Sequence, residues 1–89
     1  MTTREEHQRR LITRLRRVEG QIRGVQGMIG NGAACEDIAQ QLAAARRALD
    51  RSFYEMIACS MEMEMTQAAD TSAVRAAGTK VGKLLARYG

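Results

Sequence analysis

Six aliphatic side chains, Leu11, Leu15, Val18, Ile22, Val25 and Ile29, recur at steps of four and three and draw a heptad seam through the first third of the chain. That period belongs to a helix that packs along its whole length on other helices, and a strand has no use for it. Thr3 and Glu6 stand ahead of it with the spacing of a capping box, and Gly30-Asn31-Gly32 ends it. Gly20, Gly24 and Gly27 lie inside the same helix. Each costs about 1 kcal/mol relative to alanine, so close approach of another helix is the expected compensation.

The pattern continues in a second helix from about 34 to 66, with two apolar seams. One holds Ile38, Leu42, Ala45, Leu49, Ser52, Met56, Cys59 and Met63; the other holds Ala39, Ala43, Arg46, Asp50, Phe53, Ile57, Ser60 and Glu64. A helix of that length spans about 45–50 Å. The first helix covers only part of it, and a third, from about Thr71 to Tyr88, is short. The expected class is therefore all-α: a three-helix subunit with a long second helix, paired in an antiparallel dimer with a four-helix core and assembled further. Eighty-nine residues without a proline form one small domain, 1–89, that gains stability by oligomerising. No apolar run is long enough to span a bilayer, and Thr2 and Thr3 precede charges rather than a targeting segment, so the expected place is the cytoplasm.

The excess positive charge sits entirely in residues 1–30, where seven arginines oppose three glutamates; residues 31–89 balance to zero. Arg10, Arg14 and Arg17 share one helical face, with Arg16 beside them. Such a face suits phosphates, although a solvated arginine face, an anionic membrane surface or an acidic protein partner is also compatible with it. The chain has no helix-turn-helix, no zinc-finger spacing and no aromatic pairs of the kind that stack on single strands. DNA is then held through its backbone and shape by arginines on a bundle, and four copies pool about +16 of formal charge. No triad, paired-carboxylate site or phosphate loop marks an enzyme.

Cys35 opens the second helix, where free backbone N–H groups and the helix dipole suit a thiolate; it is a candidate nucleophile or soft-metal ligand, or an inert first-turn residue. Glu36 and Asp37 beside it act against that effect. Cys59 lies about 36 Å further along the same helix, so only an antiparallel partner brings the two thiols together. Its seam position equally suits plain core packing. Met56, Met61, Met63 and Met65 surround it, and Met63 is one turn on. Thiolate and thioether ligands suit Cu(I), and methionine is also an adaptable core filler. His7 is either exposed or a terminal ligand.

The run Leu11-Ile12-Thr13-Arg14-Leu15-Arg16-Arg17-Val18-Glu19-Gly20-Gln21-Ile22-Arg23-Gly24 resembles the first-helix motif of the CsoR/RcnR/FrmR repressors, which respond to copper, nickel or cobalt, or formaldehyde. Cys35-Glu36-Asp37-Ile38-Ala39-Gln40-Gln41-Leu42-Ala43-Ala44-Ala45-Arg46-Arg47-Ala48-Leu49 resembles the start of their second helix. The resemblance implies a disc-like tetramer that binds operator DNA and is released by an effector bound between subunits. It places DNA contacts at Arg14 and Arg17, with Arg16 in support, and the sensing thiol at Cys35; Arg10 joins the DNA-binding candidates because it shares their helical face.

The rest of the sensor departs from the family pattern. The family's metal-binding histidine falls on Ser60 and the copper branch's second cysteine on Glu64, a position where persulfide-sensing relatives also carry cysteine. The copper branch's outer tyrosine and glutamate fall on Ala34 and Lys80. His7 is not at the nickel/cobalt branch's terminal ligand position. The formaldehyde branch uses an N-terminal proline amine, for which this chain offers Thr2. Cys59 precedes the lost histidine position by one residue, and a modest rotation turns it toward Cys35 of the partner subunit. Three effector chemistries fit: thiol modification by persulfide or another electrophile joining Cys35 to Cys59, a soft metal held by Cys35, Cys59 and Met63 or Glu64, or formaldehyde acting on Cys35 alone. A helical adaptor that binds acidic proteins and no DNA is the alternative outside the family.

Overall fold

The computed structural model describes residues 3–89; Thr2 lies outside the described residues. Three helices account for nearly all of it: α1 (Arg4–Gly30), α2 (Cys35–Gln67) and α3 (Thr71–Tyr88). Their ends follow local chemistry. The Thr3 hydroxyl accepts from the Glu6 amide at 3.1 Å, and Asp70 caps α3 by accepting from the Ala73 amide at 2.8 Å. After α1, Gly32 takes φ +73°, its amide donates to the Ile29 carbonyl, and the Ala33 amide donates to that of Met28. This is a Schellman stop, and a left-handed residue is what it requires.

α1 and α3 each pack on α2 and not on one another. His7 meets Glu62 and Arg14 meets Glu55, so α1 and α2 run antiparallel. The backbone measures 58 × 26 × 13 Å, a slab one helix thick. Its radius of gyration is 17.5 Å, against about 12 Å for a compact domain of this length.

The heptad seams divide accordingly. Val18 and Val25 of α1 and Ala45, Ser52 and Cys59 of α2 are buried between the two helices, with Leu11 half-buried beside them. Ser52, the polar member, donates to the Ala48 carbonyl at 3.0 Å and so enters the core satisfied. The alternate members remain open: Leu15, Ile22 and Ile29 on α1, and Leu42, Leu49 and Met56 on α2, are 38% or more exposed. On the far side of α2, Ile57 is buried, as are Ala77 and Val81 of α3.

One expectation is narrowed and one corrected. A Cβ added at Gly20, Gly24 or Gly27 meets nothing within 4 Å, so no helix of the same chain approaches them and they lie on an open face. His7 is neither exposed nor a free terminal ligand: it is 7% exposed, because the antiparallel register carries the start of α1 onto the last turns of α2.

Candidate nucleic-acid interface and sensor site

The arginines gather in two grooves. Arg9, Arg10, Thr13, Arg14 and Arg17 line the first, on α1. Arg14, Arg47 and Arg51, with Ala44 and Ala48, line the second, between α1 and α2. Arg14 belongs to both and joins them into one basic strip. Arg16 is exposed and lies outside both grooves. Arg47 and Arg51 extend the face that the sequence placed on α1 alone. Their four-residue spacing was a visible signal, but only the α1–α2 register sets them beside Arg14.

Two carboxylates of α2 fasten this end of α1. Arg14 Nε donates to Glu55 Oε2 at 2.7 Å, and Arg10 Nε stands 4.0 Å from Glu55 Oε1. His7 Nε2 lies 2.5 Å from Glu62 Oε2, while Arg10 Nη2 donates to His7 Nδ1 at 3.3 Å. An imidazole that accepts from a guanidinium at Nδ1 carries its proton on Nε2, where the Glu62 carboxylate accepts it. Arg17 has no ion pair among the described residues and is exposed.

The thiols occupy different settings. Cys35 is exposed at the first position of α2, where Ala34 supplies no capping side chain. Cys59 is buried. It lines a cavity of about 240 Å³ with His7, Leu11, Glu55 and Met56, and also a second cavity with Ser60, Met63, Glu64, Lys80 and Arg4. Cys59, Ser60, Met63 and Glu64 are therefore brought together, and Cys35 is not among them. Lys80 Nζ donates to Glu64 Oε1 at 2.6 Å, so the carboxylate considered as a metal ligand already has a cation. Among the described residues, no three His, Cys, Asp or Glu side chains of one chain are grouped to hold a metal ion. Met61 and Met65 are exposed on another side of the helix.

Residues 7–87 match the family described as metal-sensitive transcriptional repressor. The chain belongs to that family. The repressor is 44% identical, over 39 residues, to the copper-sensing transcriptional repressor CsoR of Bacillus subtilis (strain 168); the matched stretch is 44% of this chain and 39% of that relative. It superposes on the nickel-responsive transcriptional regulator InrS with a TM-score of 0.79 at 32% identity, covering 91% of each chain. A variant of the formaldehyde-responsive regulator FrmR from Salmonella enterica serovar Typhimurium gives a TM-score of 0.76 at 28% identity, covering 94% of this chain and 96% of the other. The repressor's relatives are transcriptional regulators, not enzymes. Among the described residues, no helix is long and apolar enough to cross a membrane.

Proposed function

We propose that residues 1–89 form one DNA-binding and effector-sensing domain, a cytoplasmic repressor that holds operator DNA through its arginine strip and lets go when an effector engages Cys35. The observation that carries this reading is the meeting of the two arginine grooves at Arg14. A row of guanidiniums on a bundle surface suits phosphates, fixing register on the duplex without reading bases.

The unit that binds is an assembly, an antiparallel dimer with a four-helix core built further into a disc-like tetramer. Cys35, Leu42, Leu49, Met56 and Met63 follow one another at steps of seven along α2, and Leu42, Leu49 and Met56 are exposed. Two copies of this line crossed antiparallel at Leu49 set Cys35 of one subunit level with Met63 of the other, one turn from Cys59. The thiol that stands apart within a chain then completes a sensor between chains. Two thiols and a thioether are soft donors that fit Cu(I), and the one imidazole lining the Cys59 cavity, His7, is held by Glu62 and Arg10. These residues would hold such an ion between α2 of one subunit and α2 of its partner.

A second effector chemistry is favoured by the cations of the same cavity. Arg4 and Lys80 line it, and Lys80 holds Glu64. Positive charge opposes a metal cation, which favours modification of the thiols by persulfide or another electrophile over metal binding. Formaldehyde acting on Cys35 alone is the remaining variant.

Fluorescence anisotropy on DNA from upstream of the repressor's own gene tests the reading. Binding that weakens steeply with salt and is lost in Arg14→Ala/Arg17→Ala, with the oligomer intact, supports it. Absence of binding at any salt favours the helical adaptor, and full affinity of the double variant places the DNA elsewhere.

A further inference from the structure

Beside the arginine strip, and bonded to it, stands one carboxylate that the proposed function does not use. Glu55 is half-buried on α2, one turn beyond Arg51, with a guanidinium facing each of its oxygens: Arg14 Nε at 2.7 Å from Oε2 and Arg10 Nε at 4.0 Å from Oε1. Its side chain is 19% exposed, so solvent screens the pair less than it screens an open surface bridge. Glu55 lines neither groove, but Arg14, the side chain it holds, is the one that both grooves share. Glu62, two turns further on the same face of α2, meets His7 instead of an arginine of the grooves.

We propose that Glu55 is an internal competitor for DNA phosphate, holding Arg14 in the free repressor and setting how tightly the strip grips the duplex. This rests on the reading of the arginine strip as the DNA face. A carboxylate and a phosphate are both oxyanions that take the same guanidinium donors. The charge of Glu55 also lowers the potential felt by every phosphate in the strip. An arginine already neutralised adds less to counterion release than a free one. The competitor is also within reach of the sensor end, since Glu55 lies one helical turn from Cys59 and lines the same cavity.

Anisotropy titrations of reduced Glu55→Gln on the same promoter DNA test the assignment. The expected result is binding about three- to tenfold tighter than wild type, the size of a partly screened charge pair, and a log–log salt dependence steeper by up to about one unit. Glu62→Gln loosens the same end of α1 without freeing a groove arginine, and its affinity stays at the wild-type value. The gain disappears when Glu55→Gln is placed on Arg14→Ala. Unchanged or weaker binding by Glu55→Gln overturns the proposal, as does an equal gain in Glu62→Gln. If Glu55→Gln does not fold, Glu55→Asp keeps the charge but withdraws it from Arg14, and a smaller gain of the same sign, or its absence, decides. Arg14→Ala that binds as tightly as wild type overturns the DNA face itself; weak Arg14→Ala with unchanged Glu55→Gln overturns only the role of Glu55.

Discussion

Two arginines one turn apart on the same strip differ in what they have to give to phosphate. Arg14 is engaged by Glu55, whereas Arg17 is exposed and has no ion pair among the described residues. Arg17→Ala should therefore flatten the log–log salt dependence of DNA binding by about one unit per subunit in contact, a change read by repeating the titration across salt concentrations. His7 belongs to stability instead. His7→Ala removes a buried ring and leaves Glu62 without its partner, at a cost of about 1–2 kcal/mol in chemical denaturation, since Glu62 keeps part of its hydration. Little of this is visible in sequence. His7 looks like a terminal polar residue until Glu62, fifty-five positions away, is set against it. A separation of forty-one positions likewise hides Glu55 from Arg14. The arginine face itself was legible because helical spacing gathers Arg10, Arg14 and Arg17 with no help from tertiary structure.

Elements were more legible than sites, because their ends are local. Thr3 and the Gly30-Asn31-Gly32 stop mark α1 where the structure does, and the heptad steps supply α2 and α3. What the spacing does not reveal is which half of each seam is filled from within the chain. Val18 and Val25 are buried while Leu15, Ile22 and Ile29 are open, an assignment made by the antiparallel register alone. The glycines make a paired test. Gly32 stands at φ +73°, so Gly32→Ala should lower stability by about 1 kcal/mol. Gly24 is helical with open space where a Cβ would stand, so Gly24→Ala should raise stability by about 0.5–1 kcal/mol. Thermal melts followed by circular dichroism read both signs. A loss in Gly24→Ala would mean that the assembled repressor brings another helix against that face after all.

At the scale of the whole molecule, a slab one helix thick has no second layer against which to bury its apolar face. The exposed area of 6811 Å² exceeds by roughly 1,600 Å² what a compact chain of this size leaves open. That excess is about twice the roughly 800 Å² that one chain gives to an ordinary stable interface, room for more than one contact with further copies. Leu49, 45% exposed at the middle of the open line on α2, is where a charge should do most harm. Leu49→Glu should sediment as a smaller species than wild type, with a lower Tm and weakened DNA binding, because phosphate contacts from several copies are pooled in one complex. In the proposed function sensing depends on the same assembly, since Cys35 and Cys59 stand far apart along one long helix and a second chain is needed to join them. The most direct measurement is anisotropy of the reduced repressor on its promoter DNA, comparing wild type with Cys35→Ser during anaerobic additions of Cu(I) and, separately, inorganic polysulfide. Tight binding by both proteins, with release of wild type by at least one effector and of Cys35→Ser by neither, is the predicted result. Equal release of Cys35→Ser, or a wild-type complex indifferent to both effectors, would contradict it.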